Sequence, residues 1–370
     1  MRFKLNVTPL KDAMNLCIIS SNISKFFEKS TVIQLTAEGS NLRLNTQATS
    51  LLSEVVIKGD NEDNSTACAI VDNSLFKSLI SSLDVNEVTL DFQDTVLEVK
   101  AGRSKFNVPK LLMDEDGICL DRPILEESLQ DRTCSELHPS IWKYIQEHQL
   151  YAVASNQIHK VYTYVWVDSN KGVLTGDPNM SFFTYQPNSD LGSSCLISNT
   201  IVNLLAAMEE GTQLYKISDT NYLVKMNIDS FSFCSQFTVE HEDETGIGIY
   251  DSDMIFDMVL DEYQTESCVS RGKLSSNIKQ AQLFASSTNS LISVESNDKG
   301  MYLVNDNVNC RISKDIGREY SCSFNLSDLD IVVSHIDEDN MTVSPIVKEE
   351  EVFGLRFKSG DMVALVGGVE

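Results

Sequence analysis

Apolar positions along this chain form three similar patterns, spaced about 126 residues apart. In each pattern, an amphipathic segment runs through a polar turn into two segments of alternating apolar and polar residues. Apolar residues three and four apart predict a helix, and strict alternation predicts a strand. The predicted helices are 73–80, 199–205 and 326–333, and the paired strands are 88–92 with 96–99, 214–217 with 222–226, and 341–343 with 352–357.

A second amphipathic segment precedes each of these helices. Its apolar residues also fall at helical spacing, as Leu10, Met14 and Cys17 do in the first copy. In the second copy Pro139 suits a first helical turn, where its missing N–H costs nothing. The three segments predict helices over 9–24, 139–155 and 271–287.

The size of the repeat indicates domains rather than turns of a solenoid. Each copy predicts two helices and several strands, the clearest strand covering 160–167. The fold class is therefore α+β, with two helices packed on antiparallel sheets in each of three repeated domains. The predicted domains are 1–122, 133–250 and 262–370.

Charge is the second large feature, because the formal net charge is −25 over 370 residues. A uniformly acidic surface repels nucleic acid. The acids, however, concentrate in connecting stretches, whereas the predicted helices carry lysines with few acids on the same face. The sequence is thus compatible with an acidic exterior and one mildly basic face. The acidic stretches are 60–63, 114–116, 240–244, 251–253 and 349–351.

The lack of targeting signals and the pattern of cysteines predict the cellular compartment of the protein. No run of 18 or more apolar residues and no basic-then-apolar leader occurs, which predicts a soluble, cytoplasmic protein with no membrane partner. The nine cysteines are an odd number and form no C-x-x-C motif. Buried free thiols in a reducing compartment are the expected state.

The sequence contains little evidence of a catalytic motif. The Gly-Ile-Gly at 246–248 lacks the third glycine of a dinucleotide fingerprint, and Asp251 with Asp253 fits an acidic linker better than a metal site. The five histidines show no metal-ligand spacing, and no G-x-S-x-G elbow occurs. We therefore expect no enzyme activity, no metal and no cofactor.

Three segments of the first copy, 75–78, 83–90 and 97–109, resemble the first domain of bacterial β-type DNA sliding clamps. The most specific part is the Gly-Arg-Ser-Lys-Phe-Asn-Val-Pro of 102–109. The resemblance implies a ring of six domains, so a three-domain chain would close as a head-to-tail homodimer. Helices would line the hole around duplex DNA, and the ring would tether the replicative polymerase after loading by a separate ATP-dependent protein. A bacteriophage or divergent bacterial origin fits this pattern.

The same resemblance implies two sets of binding residues. DNA contacts are expected from the inner-loop residues Lys25, Asn156 and Lys160, and from the helix-borne Lys11, Lys77, Lys143 and Lys279. A pocket for polymerase and clamp-loader peptides is expected at Tyr162, Thr175, Met180, Ala364, Leu365 and Val366. The sequence departs from the family in Thr-Gly-Asp-Pro at 175–178 and in its ending, Gly-Gly-Val-Glu at 367–370.

Two other functions remain open at this point. One is an acidic, non-enzymatic β-rich assembly protein, such as a virion component or a DNA mimic. The other is a hydrolase whose site is hidden by its spacing. Helix polarity separates a clamp from a mimic, because a clamp presents lysines on its helix faces where a mimic presents acids.

Overall fold

A computed structural model describes most of the chain. It excludes residues 20–31, 49, 62–64, 112–119, 121–128, 130–131, 149–162, 169–170, 177–179, 185–190, 192, 242–257, 259–265, 286–289, 316–317, 337, 349 and 370.

Six helices lie in the described residues, and each covers a segment predicted to be helical. They are α1 (Val7–Ile19), α2 (Asn73–Ser82), α3 (Pro139–His148), α4 (Asn199–Ala206), α5 (Arg271–Gln282) and α6 (Leu326–His335). The helix start at Pro139 is confirmed. The predicted extensions over 20–24 and 149–155 lie outside the described residues.

The end predicted for α5, near residue 287, is wrong. The N–H groups of Leu283 and Phe284 donate to the carbonyls of Gln280 and Ala281, three residues back, at 3.2 and 3.0 Å. These bonds close the helix in a tight turn, so it ends at Gln282.

Side-chain caps explain why two of the shorter helices begin where they do. Asp72 accepts a hydrogen bond from the Leu75 N–H at 2.7 Å, and Asn325 accepts one from the Ser327 N–H at 3.1 Å. Each cap satisfies an N–H group that has no partner inside the helix. In both cases the capping residue immediately precedes the helix.

The strands confirm the paired alternating segments read from the sequence. Of the strand predicted over 160–167, the part from Tyr164 is confirmed, and residues 160–162 lie outside the described residues. The strands are β1 (Arg2–Asn6), β2 (Val32–Glu38), β3 (Asn41–Ala48), β4 (Leu51–Lys58), β5 (Asp60–Asn61), β6 (Ala67–Asp72), β7 (Glu87–Phe92), β8 (Val96–Ala101), β9 (Ser104–Pro109), β10 (Thr133–Glu136), β11 (Tyr164–Asp168), β12 (Gly172–Gly176), β13 (Met180–Thr184), β14 (Cys195–Ser198), β15 (Gln213–Lys216), β16 (Asn221–Ile228), β17 (Phe231–Thr238), β18 (Ser267–Ser270), β19 (Leu291–Asn297), β20 (Gly300–Val304), β21 (Asn309–Ser313), β22 (Tyr320–Asn325), β23 (Asn340–Lys348), β24 (Glu351–Ser359) and β25 (Met362–Gly367).

The order of these elements recurs three times. Each copy has one strand, a helix, four strands, a second helix and three strands, and the first copy adds the two-residue β5. The copies run from β1 to β9, from β10 to β17 and from β18 to β25. The domain limits predicted at 1–122, 133–250 and 262–370 each enclose one copy, and they stay predictions.

The first compact unit comprises Met1–Lys143 and Thr200–Val239. It contains a five-stranded sheet, β5-β1-β7-β8-β9, and an eight-stranded sheet, β10-β15-β16-β17-β4-β3-β2-β6. The longer sheet is continuous across two copies of the repeat, because β17 pairs antiparallel with β4 from Phe231↔Ile57 to Phe237↔Leu51.

The second compact unit comprises Tyr144–Asn199 and Glu240–Glu370. Its eight-stranded sheet, β14-β11-β12-β13-β25-β24-β23-β18, is again continuous across two copies, because β13 pairs antiparallel with β25. A four-stranded sheet, β21-β20-β19-β22, completes the unit. Its main core packs α5 and α6 onto the strands through Leu274, Ile278, Leu329 and Val333, which are all buried.

Candidate nucleic-acid interface

Basic residues on the helices are the first candidates for contact with nucleic acid. Lys143 and Lys279 are exposed on α3 and α5, and Lys77 is half-buried on α2. Each of the three helices turns a different set of residues to its core, such as Phe76 and Ile80 in α2. The structure therefore leaves Lys143 and Lys279 open to a ligand.

Lys11 has a structural contact. Its Nζ donates to the Leu83 carbonyl at 2.7 Å, and Leu83 is the C-cap of α2. A lysine there satisfies a carbonyl at a helix end and interacts favourably with the helix dipole. Lys11 thus joins α1 to the end of α2, and less of its charge faces solvent.

The basic charge is concentrated on α5. This helix has three basic residues, Arg271, Lys273 and Lys279, and no acid. The other five described helices together have three basic residues against four acids. Arg271 and Lys273 were not among the predicted site residues, although a count of charges along 271–282 would have found them.

The three inner-loop residues expected to touch DNA are not part of the described chain. Lys25, Asn156 and Lys160 all lie outside the described residues, as does Tyr162 of the expected peptide pocket. Their roles stay predictions.

The described pocket residues do not share one face of the sheet. Ala364 and Val366 belong to the core under α5 and α6, whereas Leu365 packs with Trp166, Leu174 and Val363 in a second cluster. Successive residues of a strand point to opposite faces, so β25 divides the set. Thr175 is fully buried next to Leu174, and Met180 pairs with Val366 through the backbone.

The second cluster forms on the other face of the same sheet. Its buried members are Trp166, Leu174, Leu196, Ile346, Val363 and Leu365, with Tyr164 and Met258 packed against it. The Trp166 Nε1–H is buried without a hydrogen-bond partner in the described part of the chain. Burial, assisted by the negative charge of Glu240, raises the pKa of the Tyr164 hydroxyl. The cluster is therefore apolar and contains one unsatisfied donor.

Eight large apolar side chains are exposed in the described part of the chain, and three of them lie on β9 or directly after α5. Phe106 on β9 is 37% exposed, and Leu283 and Phe284, directly after α5, are 82% and 57% exposed. Exposed apolar groups that lie together mark interaction surfaces in soluble proteins. Leu283 and Phe284 lie outside the buried stripe of Leu274, Ile278 and Ala281, which is the signal that would have found them.

The described part of the chain was also searched for groups of metal ligands and for reactive thiols. There, no group of three or more His, Cys, Asp or Glu side chains is arranged to hold a metal ion. The eight cysteines that fall within this part are free thiols. Burial raises the pKa of the Cys17 thiol to about 12, which keeps it protonated at neutral pH.

The helices of the described residues are too short or too polar to cross a membrane. None of them has both the length and the apolar character that a membrane span needs.

Comparisons with known proteins agree on the fold. No protein-family model and no curated protein matches the chain. Among solved structures, the DNA polymerase III β subunit of Thermotoga maritima matches with a TM-score of 0.80 and 14% identity, over 100% of this chain and 99% of that one. The DNA polymerase sliding clamp of Bacillus subtilis matches with a TM-score of 0.77 and 14% identity, over 100% and 99%. The β clamp of Helicobacter pylori bound to a DNA ligase peptide matches with a TM-score of 0.71 and 13% identity, over the full length of both chains.

These matches confirm the resemblance at the level of the fold. The chain has the sliding-clamp fold, with helices and antiparallel sheets, over its whole length. At 13 to 14% identity the likeness concerns architecture alone, so function has to be argued from the chain's own surfaces.

Proposed function

We propose that this chain is a non-enzymatic DNA sliding clamp. Two copies close head to tail into a ring of six repeated domains around duplex DNA, in the cytoplasm of a bacterial or phage-infected cell. The ring tethers a DNA polymerase, and it increases processivity by keeping the polymerase at high effective concentration on the template. The observation that carries the proposal is a pair of unpaired strand edges that match the joints already present inside the chain.

Both joints between repeats use the same two positions. At the first joint, β17, which is the last strand of the second copy, pairs with β4. In chain order, β4 is the third of the four first-copy strands in this sheet. At the second, the last strand of the third copy, β25, pairs with β13, again the third strand of its half. Both pairings are antiparallel. Each joint therefore joins the edge formed by the last strand of one copy to the edge formed by the third sheet strand of another.

Two such edges remain unpaired in the described chain. The last strand of the first copy, β9, is at the edge of its sheet, and so is the third strand of the third-copy sheet, β21. Exposed strand edges are normally paired or protected, because they template association. Pairing β9 of one copy with β21 of another repeats the internal joint, and doing so twice closes a symmetric ring.

The exposed apolar residues fit this closure. At the first internal joint, α1 packs against both β4 and β17. In the third copy α5 takes the equivalent place and packs against β21, so β9 of a second copy would complete its contacts. Leu283 and Phe284 at the end of α5, and Phe106 on β9, would then be buried. Their burial supplies a hydrophobic contribution to association.

Helix charge favours a clamp over the acidic alternative. The described helices carry six basic residues and four acids, although the whole chain has a net charge of −25. A DNA mimic requires acids on these faces. A sliding ring instead needs weak, sequence-independent phosphate contacts inside and an acidic exterior that disfavours DNA outside.

Partner peptides are the finer part of the proposal. A protein with this fold, from H. pylori, has been captured with a DNA ligase peptide. In this chain we propose that the sheet face carrying Leu365 and Trp166 receives peptides of the polymerase and of a clamp loader; both side chains are buried in the described chain, so binding requires a rearrangement that exposes them. Such peptides bind through apolar anchors. Lys25, Asn156 and Lys160 remain proposed DNA contacts beside the helix lysines.

The test combines mass and topology. Light scattering should give twice the chain mass of 41.3 kDa. After loading onto a nicked circular plasmid with a clamp loader and ATP, the protein should co-elute with the circle. Cutting the circle once should release it, and DNA that is linear from the start should retain none. A monomer at all concentrations, or retention that ignores the cut, would contradict the proposal.

A further inference from the structure

The two joints inside the chain have the same register. At the first joint the second residue of β17, Ser232, pairs with Val56 of β4. At the second joint the second residue of β25, Val363, pairs with Phe183 of β13. Val56 and Phe183 are equivalent, because each pairs on its other side with the third residue of the preceding strand. The repeat therefore determines which residues meet at a joint, and not only which strands.

The same rule gives a register for β9 and β21 of two copies. The second residue of β9 is Lys105. The third residue of β20, Tyr302, pairs with Arg311 of β21, so Arg311 takes the place that Val56 has at the first joint. This assignment uses the regular part of the β20–β21 pairing, from Tyr302 to Val304. The rule places Lys105 of one copy opposite Arg311 of the other copy.

The next pair in this register is apolar and lies on the inward face of the sheet. It consists of Phe106 and Cys310, and the equivalent residues at the first joint, Phe233 and Val55, are fully buried. Cys310 already packs against the core under α5 and α6, so Phe106, which is 37% exposed, would extend that core. A shift by one residue would turn Lys105 toward the core instead. The register thus agrees with the exposed apolar side chains.

The pair formed by Lys105 and Arg311 lies on the outward face, because successive residues of a strand point to opposite sides. Both side chains are exposed, and neither forms an ion pair with another residue of the described chain. The residue opposite Lys105 in β8 is a third cation, Lys100, which binds the carboxylates of Asp91 and Glu98. No carboxylate of β7 or β8 is therefore left to separate Lys105 from Arg311.

We propose that each joint between copies contains a repulsive cation pair, Lys105 of one copy with Arg311 of the other. Like charges directly opposite each other in a sheet destabilise the pairing. The equivalent pairs at the two internal joints consist of uncharged residues. The pair makes the contact between copies weaker than the joints inside the chain, and it makes the strength of the ring depend on the charge at two positions. The inference rests on the proposed function and deepens it, because it identifies the residues that limit closure of the ring.

The test is a charge-reversal cycle on the dissociation constant of the dimer. Fluorescence-detected sedimentation of a dilution series gives that constant for the wild type, Lys105→Glu, Arg311→Glu and the double variant. Each single substitution places an acid opposite a cation at both joints between copies, and should lower Kd by about tenfold. The double variant places two acids opposite each other, and should return Kd to the wild-type value or above it.

Net charge alone gives the opposite expectation. Each single substitution replaces a positive charge by a negative one in a chain whose net charge is already −25, and stronger repulsion between whole copies would raise Kd. Lys299→Glu makes the same change in the exposed turn between β19 and β20, and is the matched control. It should leave Kd unchanged or raise it. Circular dichroism verifies that every variant keeps the wild-type fold.

A cross-link tests the register directly. Phe106→Cys places a thiol opposite the free thiol of Cys310 in the other copy, at a Cβ–Cβ distance of about 4.5–5.5 Å that a small backbone movement can close. Oxidation with copper phenanthroline should give a covalent dimer, and peptide mass spectrometry should locate the bond between positions 106 and 310. Lys105→Cys directs its thiol to the other face and should not form a bond to Cys310. Adding Cys310→Ser to Phe106→Cys should abolish the cross-link.

The outcomes separate this inference from the proposed function. A higher or unchanged Kd in the single variants, with wild-type retention on circular plasmid intact, would refute the cation pair and leave the clamp standing. Additive effects in the double variant would refute it as well, because the two side chains would then not face each other. A bond to Cys310 from position 105 and not from position 106 would refute the register. A wild type that stays monomeric and is not retained on circles would refute both proposals.

Discussion

Asp91 holds together three strands of the five-stranded sheet whose edge strand is β9. Its carboxylate accepts from Lys100 Nζ at 2.6 Å and from Arg2 Nε at 3.3 Å, so β7 is tied to β8 and to β1. Burial alone would raise the pKa of Asp91. The hydrogen bonds and charges of Lys100 and Arg2 outweigh that effect and hold the pKa below its usual value of 3.8.

The first prediction concerns this carboxylate. A group whose pKa is lowered by folding stabilises the folded state above its unfolded-state pKa, and loses that contribution as the pH falls through its folded-state pKa. Asp91→Asn should therefore lower the urea midpoint at neutral pH. The difference from wild type should shrink below pH 3.8. Asp94→Asn, in the exposed turn that follows β7, is the matched control. A gap that persists unchanged into acid would contradict the electrostatic explanation.

At this scale the sequence predicted residue types better than residue roles. It selected Lys11 and Lys279 as similar helix-borne cations, but Lys11 is bonded to the Leu83 carbonyl and Lys279 lines an open groove. The difference depends on which element packs beside each lysine, and local periodicity contains no such information. Residues 364–366 were predicted to line one peptide pocket. The structure divides them between two clusters, because β25 is buried on both faces and its successive side chains point to opposite sides.

At the scale of elements, the joint between β4 and β17 contains a pair of hydroxyls. Ser53 and Ser235 are opposite each other in the register, both fully buried, with their Oγ atoms 2.7 Å apart. Each hydroxyl is a hydrogen-bond partner of the other, and the buried Thr46 is opposite Ser53 on β3. A buried polar group costs free energy when its partner is removed, whereas removing both groups together is nearly neutral.

Alanine substitutions at this pair should be strongly non-additive. Ser53→Ala or Ser235→Ala alone should lower the free energy of unfolding by roughly 1–3 kcal/mol, because each leaves one hydroxyl unpaired. The double variant should be no worse than either single one. Ser293→Ala, at the half-buried Ser293–Ser323 pair of β19 and β22, should cost less because water reaches it. Additive losses in a urea-unfolding cycle would rule out the shared hydrogen bond.

The sequence predicted the helices and strands, but it did not predict that β4 and β17 pair. Helices α2, α4 and α6 and the strands after them follow from apolar spacing and polar caps, which are local signals. Ser53 and Ser235 are 182 residues apart in the chain. Many strands of this chain share the same alternating pattern, so the pattern does not show which strands pair. The folded structure shows that β17 pairs with β4.

At the scale of the whole molecule, the proposed closure depends on two edges and a few apolar side chains. Leu283 and Phe284 are far more exposed than apolar residues of their size usually are, and they directly follow the helix that packs against β21. Burying them between copies gives the ring a hydrophobic component in addition to strand pairing. Removing that component should separate the copies without unfolding either one.

The corresponding variant is Leu283→Ser with Phe284→Ser. Light scattering should show the mass falling to that of one chain, 41.3 kDa, with the circular dichroism spectrum unchanged. Retention on circular plasmid should disappear as well. Phe353→Ser, at a 40% exposed phenylalanine on β24, is the control and should remain dimeric. A dimer that survives the double substitution would place the contact between copies elsewhere.

The strand ladders that are continuous between repeats determine where such a ring can come apart. If β4 and β17 separate by fluctuation, the connecting chain keeps them together, and they meet again at an effective concentration of about millimolar. If β9 and β21 of different copies separate, nothing retains them and dilution keeps them apart. In the proposed ring, a seam between copies would therefore be the point where DNA enters. A loading protein would need to open only one of the two seams of the proposed ring, and the time that the ring stays on DNA without a loader would be set by how long both seams hold.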